Sequence, residues 1–296
     1  MLIAQISDLH IRKPGSGKTA GVDNNEGMAA AIREINSFSS PAADVVIITG
    51  DLADRGEPVE YETLAGLLKP LHVPWFLLPG NHDERDALRQ GFGRLPYMPR
   101  NETFCQYVVE DFPLRIIALD TTVADHHHGG LCPVRLTWLE ERLAEAPGKP
   151  TMIFMHHPPI RVGIDWMDSL GLLSGAVDLA QIIRQHPQVL GIHCGHIHRT
   201  VQASLGGVPV GVAPSTCYAV MLDLLPEGKV MIASEPPGMH LHYWDGAHVV
   251  THCAPIGRAD ETLDLIPLMP NWKLRLELMR QGKGIPKSLG SCETIR

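Results

Sequence analysis

The sequence predicts an α/β fold whose strands end in polar clusters, and three observations carry that reading. Short β-branched apolar runs, Val45-Val46-Ile47-Ile48 foremost, read as strands buried on both faces. Segments with apolar residues at helical spacing, such as Met28, Ile32 and Ile35, separate the runs as crossover helices. Five runs stop at residues able to hold a metal ion: Asp8 and His10, then Asp51, then Asn81 and His82, then His156 and His157, then His196 and His198. Asp51 stands where Gly50 lets the backbone turn at a strand's carboxyl end, and it reads as the carboxylate bridging two metal ions.

In order, the first strand leads to Asp8-Leu9-His10, where an Asp and a His two apart in extended chain project to one side. Residues 12–25, rich in Gly, Lys and Asn, form a loop over that site, and the helix around Met28 closes at Pro41. Beyond Asp51, residues 52–56 are a loop and 60–69 a helix with Tyr61, Leu64, Leu67 and Leu68 inward. Asp54 is either a carboxylate supporting a ligand from outside or an ordinary helix-entry acid. After the strand at 75–78, Asp83 and Glu84 read as the acidic first turn of a short helix through Leu88.

Residues 91–103 form a surface loop, and 104–109 pairs antiparallel with 114–119, which ends at Asp120, read as a structural residue or a support behind the ligands. His126-His127-His128, before Gly129-Gly130, read as a solvated turn rather than a third metal site. A helix over 133–144 turns Leu136, Leu139 and Leu143 to one face. The next strand delivers His156 and His157; side-chain alternation lets one of them face the ion, and spacing does not say which. A helix over 176–186 precedes His196-Ile197-His198, an H-x-H that in extended conformation sets both imidazoles on one face. Hairpin-like runs follow at 200–205, 208–212, 230–234 and 239–243. A second H-x-H, His240 and His242, lacks an Asp or Asn cluster and reads as one face of an ordinary strand.

A chain of 296 residues accommodates one large domain with an appendage. Its net charge of -8 and the lack of a basic, aromatic-interleaved groove argue against a nucleic-acid polymer as partner. No apolar run approaches the ~20 residues of a membrane span, and the first strand begins at Leu2, so a soluble, cytoplasmic protein is expected. The 6 cysteines form no C-x-x-C pair and read as free thiols, Cys194 among them as a structural strand residue.

The ordered set D-x-H, G-D, G-N-H-D, H-H-P-P and G-H-x-H resembles the calcineurin-like metallophosphoesterase superfamily over residues 2–199. Within it the chain looks most like bacterial cyclic-nucleotide (class III) and glycerophosphodiester phosphodiesterases. The resemblance implies a four-layer αββα sandwich of two mixed β-sheets flanked by helices, with a β-rich C-terminal extension. Residues 1–200 then form the core with the dinuclear site, 201–258 complete the sheets or cap the site, and 259–296 are an extended tail. It also implies Asp8, His10, Asp51 and His198 on one metal, and Asp51, Asn81, His156 and His196 on the other. His157 becomes a supporting residue, and His82 a catalytic group reaching the phosphate or the leaving oxygen.

The reaction implied is hydrolysis of small phosphodiesters, cyclic nucleotides or glycerophosphodiesters, by in-line attack of a metal-bound hydroxide. Asn81, a neutral amide, limits the negative charge facing an anionic substrate. Asp54 stands where purple acid phosphatases carry a tyrosine, which argues against a redox-tuned iron site. Oxygen and imidazole donors suit Mn, Fe, Co or Zn as divalent ions. A phosphomonoesterase of the same fold and a non-catalytic metal scaffold are the alternatives. From Asn271 onward the tail carries six Lys or Arg against two Glu and is expected to dock on the acidic body or a neighbouring subunit, in keeping with a homo-oligomer.

Overall fold

The computed structural model describes residues 1–39, 41–100, 102–257 and, nearer the C-terminus, 266, 269, 271–286 and 289. Its first strands and helices are β1 (Leu2–Ile6), α1 (Asn24–Ser37), β2 (Val45–Thr49), α2 (Pro58–Leu68), β3 (Trp75–Leu78) and α3 (Arg85–Phe92). The middle of the chain forms β4 (Tyr107–Val109), β5 (Arg115–Leu119), α4 (Pro133–Glu145), β6 (Thr151–Met155), α5 (Asp165–Asp168), α6 (Ala176–Gln185) and β7 (Val189–Cys194). Six strands follow: β8 (Val201–Leu205), β9 (Val208–Val212), β10 (Ala219–Val220), β11 (Ile232–Ala233), β12 (Gly238–Trp244) and β13 (Val249–Pro255).

β1, β2 and β3 pair in parallel because α1 and α2 return the chain between them. Each helix starts on a local signal. Asp23 accepts from the amides of Asn25 and Glu26 at α1, and Glu57 with Glu60 makes a capping box ahead of Pro58 at α2. β12 pairs antiparallel with the other edge of β1, so the first sheet runs β13-β12-β1-β2-β3. The second runs β4-β5-β6-β7-β9-β8, with β5, β6, β7 and β9 parallel, and the hairpin-like segments at β8 and β9 extend its edge.

Three apolar layers hold the sandwich. Met28, Ile32, Tyr61, Leu64 and Leu88 seat α1, α2 and α3 on the outer face of the first sheet. Leu136, Leu139, Leu143, Leu179 and Ile183 seat α4 and α6 on the second. Between the sheets Ile3, Val45, Ile47 and Phe76 meet Ile116, Met152 and Phe154. Each such side chain, fully buried, contributes ~1.5–3 kcal/mol. That inner layer turns polar along the strands: Ile3 gives way to Gln5, Ile47 to Thr49 and then Asp51, Phe154 to His156. The four-layer αββα arrangement thus delivers its polar groups to the carboxyl ends of the strands.

Several boundaries differ from the sequence reading. α3 begins at Arg85, with Glu84 as its cap, so Asp83 lies outside the helix. α1 already starts inside the loop assigned to 12–25. β13 is an element the sequence reading lacks, although Asp245-Gly246 ahead of it is a hairpin-turn signal. The chain divides into two compact units, 1–257 and 258–296. That stretch was read as an extended tail, but Trp272–Arg280 form helix α7. Cys292, Lys287, Glu293 and Arg296 lie outside the described residues.

Candidate dinuclear metal centre

The polar clusters sit just past the strand ends, and the backbone there is not extended. Asp8, His10, Asp51, His196 and His198 have φ of 53, 44, 49, 74 and 56°. The expectation that D-x-H and H-x-H project sideways from an extended chain is therefore corrected. Left-handed turns swing these residues together, at a cost of order 1–3 kcal/mol each that surrounding contacts must sustain. Those contacts are present: Asp8 N donates to Gly50 O at 3.1 Å and His10 N to Asp51 O at 2.9 Å. Gly80 is required by close approach, since a Cβ there would lie 2.3 Å from Asp51 N.

Asp8, His10, Asp51 and His198 form one fully buried group whose donor atoms lie within 4.8 Å of one another. His10 Nε2 and His198 Nε2 are 3.0 Å apart. Asp51 Oδ2 is 3.5 Å from His10 Nε2, and Asp8 Oδ1 is 3.5 Å from His198 Nε2. His198 Nδ1 donates its proton to Tyr218 O at 2.9 Å, which leaves Nε2 a lone pair aimed into the group.

On the other side, Asp51 Oδ1 is 3.3 Å from His156 Nε2. Asn81 Oδ1 lies 3.1 Å from that nitrogen and 2.9 Å from His196 Nδ1. His156 Nδ1 donates to Thr49 O at 2.8 Å, so Nε2 is the nitrogen left to offer a lone pair once the ring is neutral. His157 is close enough to be grouped with His156 and His196. Both of its ring nitrogens are committed elsewhere, however, to Thr121 Oγ1 at 2.8 Å and His127 O at 3.1 Å.

Oxygen and imidazole atoms with inward lone pairs are the donor set a hard-to-borderline divalent ion takes, and these residues fit two such ions sharing Asp51. Burial pushes the Asp51 carboxyl up, but neighbouring His156 and His82 outweigh it and hold it well below the usual range. Asp8 is raised, since desolvation there exceeds the pull of His198. Burial lowers His10 well below its ordinary value and His196 to about 3. Against burial, Asp51 raises His156 to about 9, so holding a metal there requires His156 to surrender a proton.

A cavity of about 130 Å³ opens on both clusters. His82 lines it, with its backbone N donating to Asp51 Oδ1 at 2.9 Å and its Nδ1 to Asp54 O at 2.7 Å. Nε2 is then the ring nitrogen left free to exchange a proton. Asp51 raises the His82 pKa against the effect of burial.

Three cavity residues were missed or misread. Tyr218 lies against His10 and His198 with centroids 5.5 and 4.8 Å away, and Trp166 faces the same space; neither has a motif around it. His127, read as part of a solvated turn, is exposed at the rim, yet Asn81 Nδ2 donates to its Nδ1 at 3.3 Å. The triple-His tract was the available signal.

Asp120 is structural, held by Arg85 at 2.8 Å. Asp83 accepts from the amides of Leu52, Ala53 and Gly80 and from the Tyr61 hydroxyl, tying the second loop to the third.

An αββα sandwich with a dimetal-type His/Asp cluster at its strand ends is the architecture of a metallophosphoesterase. The chain belongs to the calcineurin-like phosphoesterase family, whose model matches residues 1–200. It is 37% identical to a probable glycerophosphodiester phosphodiesterase, GpdQ, of Arcobacter nitrofigilis, over 87% of this chain and 94% of the relative. It is 36% identical to a probable cyclic nucleotide phosphodiesterase of Rhodopseudomonas palustris, over 84% of this chain and 88% of that one. Among solved structures, a dimetal phosphatase from Danio rerio shares the fold with a TM-score of 0.61 at 14% identity, covering 87% of this chain and 96% of its own. Among the described residues no helix is long and apolar enough to cross a membrane.

Proposed function

We propose that the protein is a metal-dependent phosphodiesterase acting on small diesters, glycerophosphodiesters or cyclic nucleotides. The observation that carries this reading is the division of Asp51: one carboxylate oxygen faces His10 and the other faces His156. A carboxylate used this way serves two ions, with Asp8, His10 and His198 on one and Asn81, His156 and His196 on the other. When bound, such a pair supplies polarisation of the phosphoryl oxygens and an activated water at neutral pH. Donors without thiolate favour Mn, Fe, Co or Zn in the divalent state.

The chain's own residues do the rest. Thr49 and Tyr218 carbonyls fix the tautomers of His156 and His198. His82 holds a proton at Nε2, within the cavity, for the departing alkoxide. Trp166, Met167 and Tyr218 wall the cavity and limit its water. The relatives' names supply the substrate class.

Hydrolysis of bis(p-nitrophenyl) phosphate and p-nitrophenyl phosphate by metal-stripped protein reloaded with Mn(II) tests the proposal. Preferential, metal-dependent cleavage of the diester supports it. Preference for the monoester replaces it with a phosphomonoesterase, and metal binding without turnover of either ester leaves a scaffold.

A further inference from the structure

His10 poses a problem that the ligand set leaves unsolved. Its Nε2 faces His198 and Asp51, so as a ligand it must keep its proton on Nδ1. That Nδ1 is buried and has no hydrogen-bond partner among the described residues. Asp54 Oδ1 lies 3.7 Å away, just beyond hydrogen-bonding range. The carboxylate's other oxygen accepts from Arg12 Nε at 3.1 Å, and Asp54 N donates to Ile11 O at 3.0 Å. Asp54 is thus anchored from two sides with one oxygen aimed at the orphaned nitrogen.

Resting on the metal assignment proposed above, we propose that Asp54 is a positioning residue for His10, its carboxylate fixing the proton on Nδ1 and so presenting the Nε2 lone pair. Arg12 sets which oxygen is left for that task. Histidine ligands are oriented in this way by carboxylates behind them, and loss of such a partner costs ~10–100-fold in metal affinity.

The role of Arg12 makes the idea testable against simple packing. In Asp54→Asn, the single amide oxygen stays with Arg12, and the NH2 group turns to His10 Nδ1. A donor there forces the His10 proton onto Nε2, where the lone pair is needed. The isosteric substitution should therefore lower affinity at least as much as Asp54→Ala, and adding Arg12→Leu should restore much of it by freeing the amide to turn over.

The experiment is titration of the metal-stripped full chain with Mn(II) by calorimetry, alongside the metal-free melting temperature of each variant. The expected result is a wild type binding two equivalents, a ~10–100-fold loss at one of them in Asp54→Asn, and recovery in the double variant. If the Asn variant binds like wild type, or its loss is not relieved by Arg12→Leu, the inference is wrong. It also fails if wild type binds a third equivalent that Asp54→Asn abolishes, because His10, Asp54 and His82 would then be gripping an ion themselves. A wild type that binds no Mn(II) overturns the functional reading and this inference together. If Asp54→Ala does not fold, the Asn variant and its Arg12 partner decide alone.

Discussion

His196-Ile197-His198 and His240-Leu241-His242 are both H-x-H segments, and all four imidazoles are buried. The first pair stands beyond the end of β7 in left-handed turns, beside Asp8, Asp51 and Asn81. The second lies inside β12, in regular register with β1 and β13, and its neighbours are neutral. His242 contacts Gln5 Oε1 at 3.1 Å and Thr251 Oγ1 at 2.8 Å, and its ring lies tilted by 59° against His193 with centroids 4.1 Å apart. Among the described residues neither His240 nitrogen has a hydrogen-bond partner. The difference lies in where the strand stops and which charges meet it there, because a carboxylate is what makes a buried imidazole cluster attractive to a cation.

The largest effect that should separate the two clusters is catalytic. His82→Ala is expected to lower kcat by ~10²–10⁴ with metal content unchanged, while His240→Ala should leave kcat near wild type. Steady-state kinetics on the chosen diester, with metal analysis of each variant, checks this; a His240 variant with a crippled kcat would erase the distinction.

Metal should stabilise one cluster alone. At ~100 times its dissociation constant a bound ion adds ~2.7 kcal/mol, so Mn(II) should raise the melting temperature of wild type and of His242→Leu, but not of Asp51→Asn.

The second cluster should matter for stability. Gln5→Leu leaves His242 Nε2 unpaired in the sheet interior and is expected to cost ~1–3 kcal/mol in urea unfolding.

The effect that is smallest at neutral pH is acid sensitivity, which grows only as the pH falls. Burial lowers His193 to about 3 and His240 to about 4, so both are neutral when folded, while in the unfolded chain they take up a proton near the ordinary value of 6.5. Their contribution is complete above pH 6.5 and is lost as pH falls toward about 4 for His240 and about 3 for His193. Each should add a slope of about 1.4 kcal/mol per pH unit in that window, and His240→Gln should flatten the metal-free unfolding profile. An unchanged slope would show that His240 is already protonated or exposed in the native state.

Much of this was legible in the chain. A buried parallel strand needs apolar side chains on both faces, so Val45 to Ile48 declared itself, and helical spacing exposed α1, α2, α4 and α6. Asp8, His10, Asp51, Asn81, His156, His196 and His198 stand out as candidate donors because each follows such a run. The absence of a carboxylate beside His240 and His242 was legible for the same reason.

What composition and spacing determine is which residues reach the end of a strand, since that follows from local hydrophobic pattern. Only the tertiary structure decided the rest. The left-handed turns at Asp8, His10, Asp51, His196 and His198 draw on contacts between separate loops, beyond the modest tolerance of Asp and His for that conformation. Tyr218 and His127 arrive from segments with no periodic signal, and Asp54 meets His10 across 44 residues of chain because parallel pairing of β1 and β2 brings their loops side by side. Contacts of that kind depend on register between strands, which no stretch of sequence records alone.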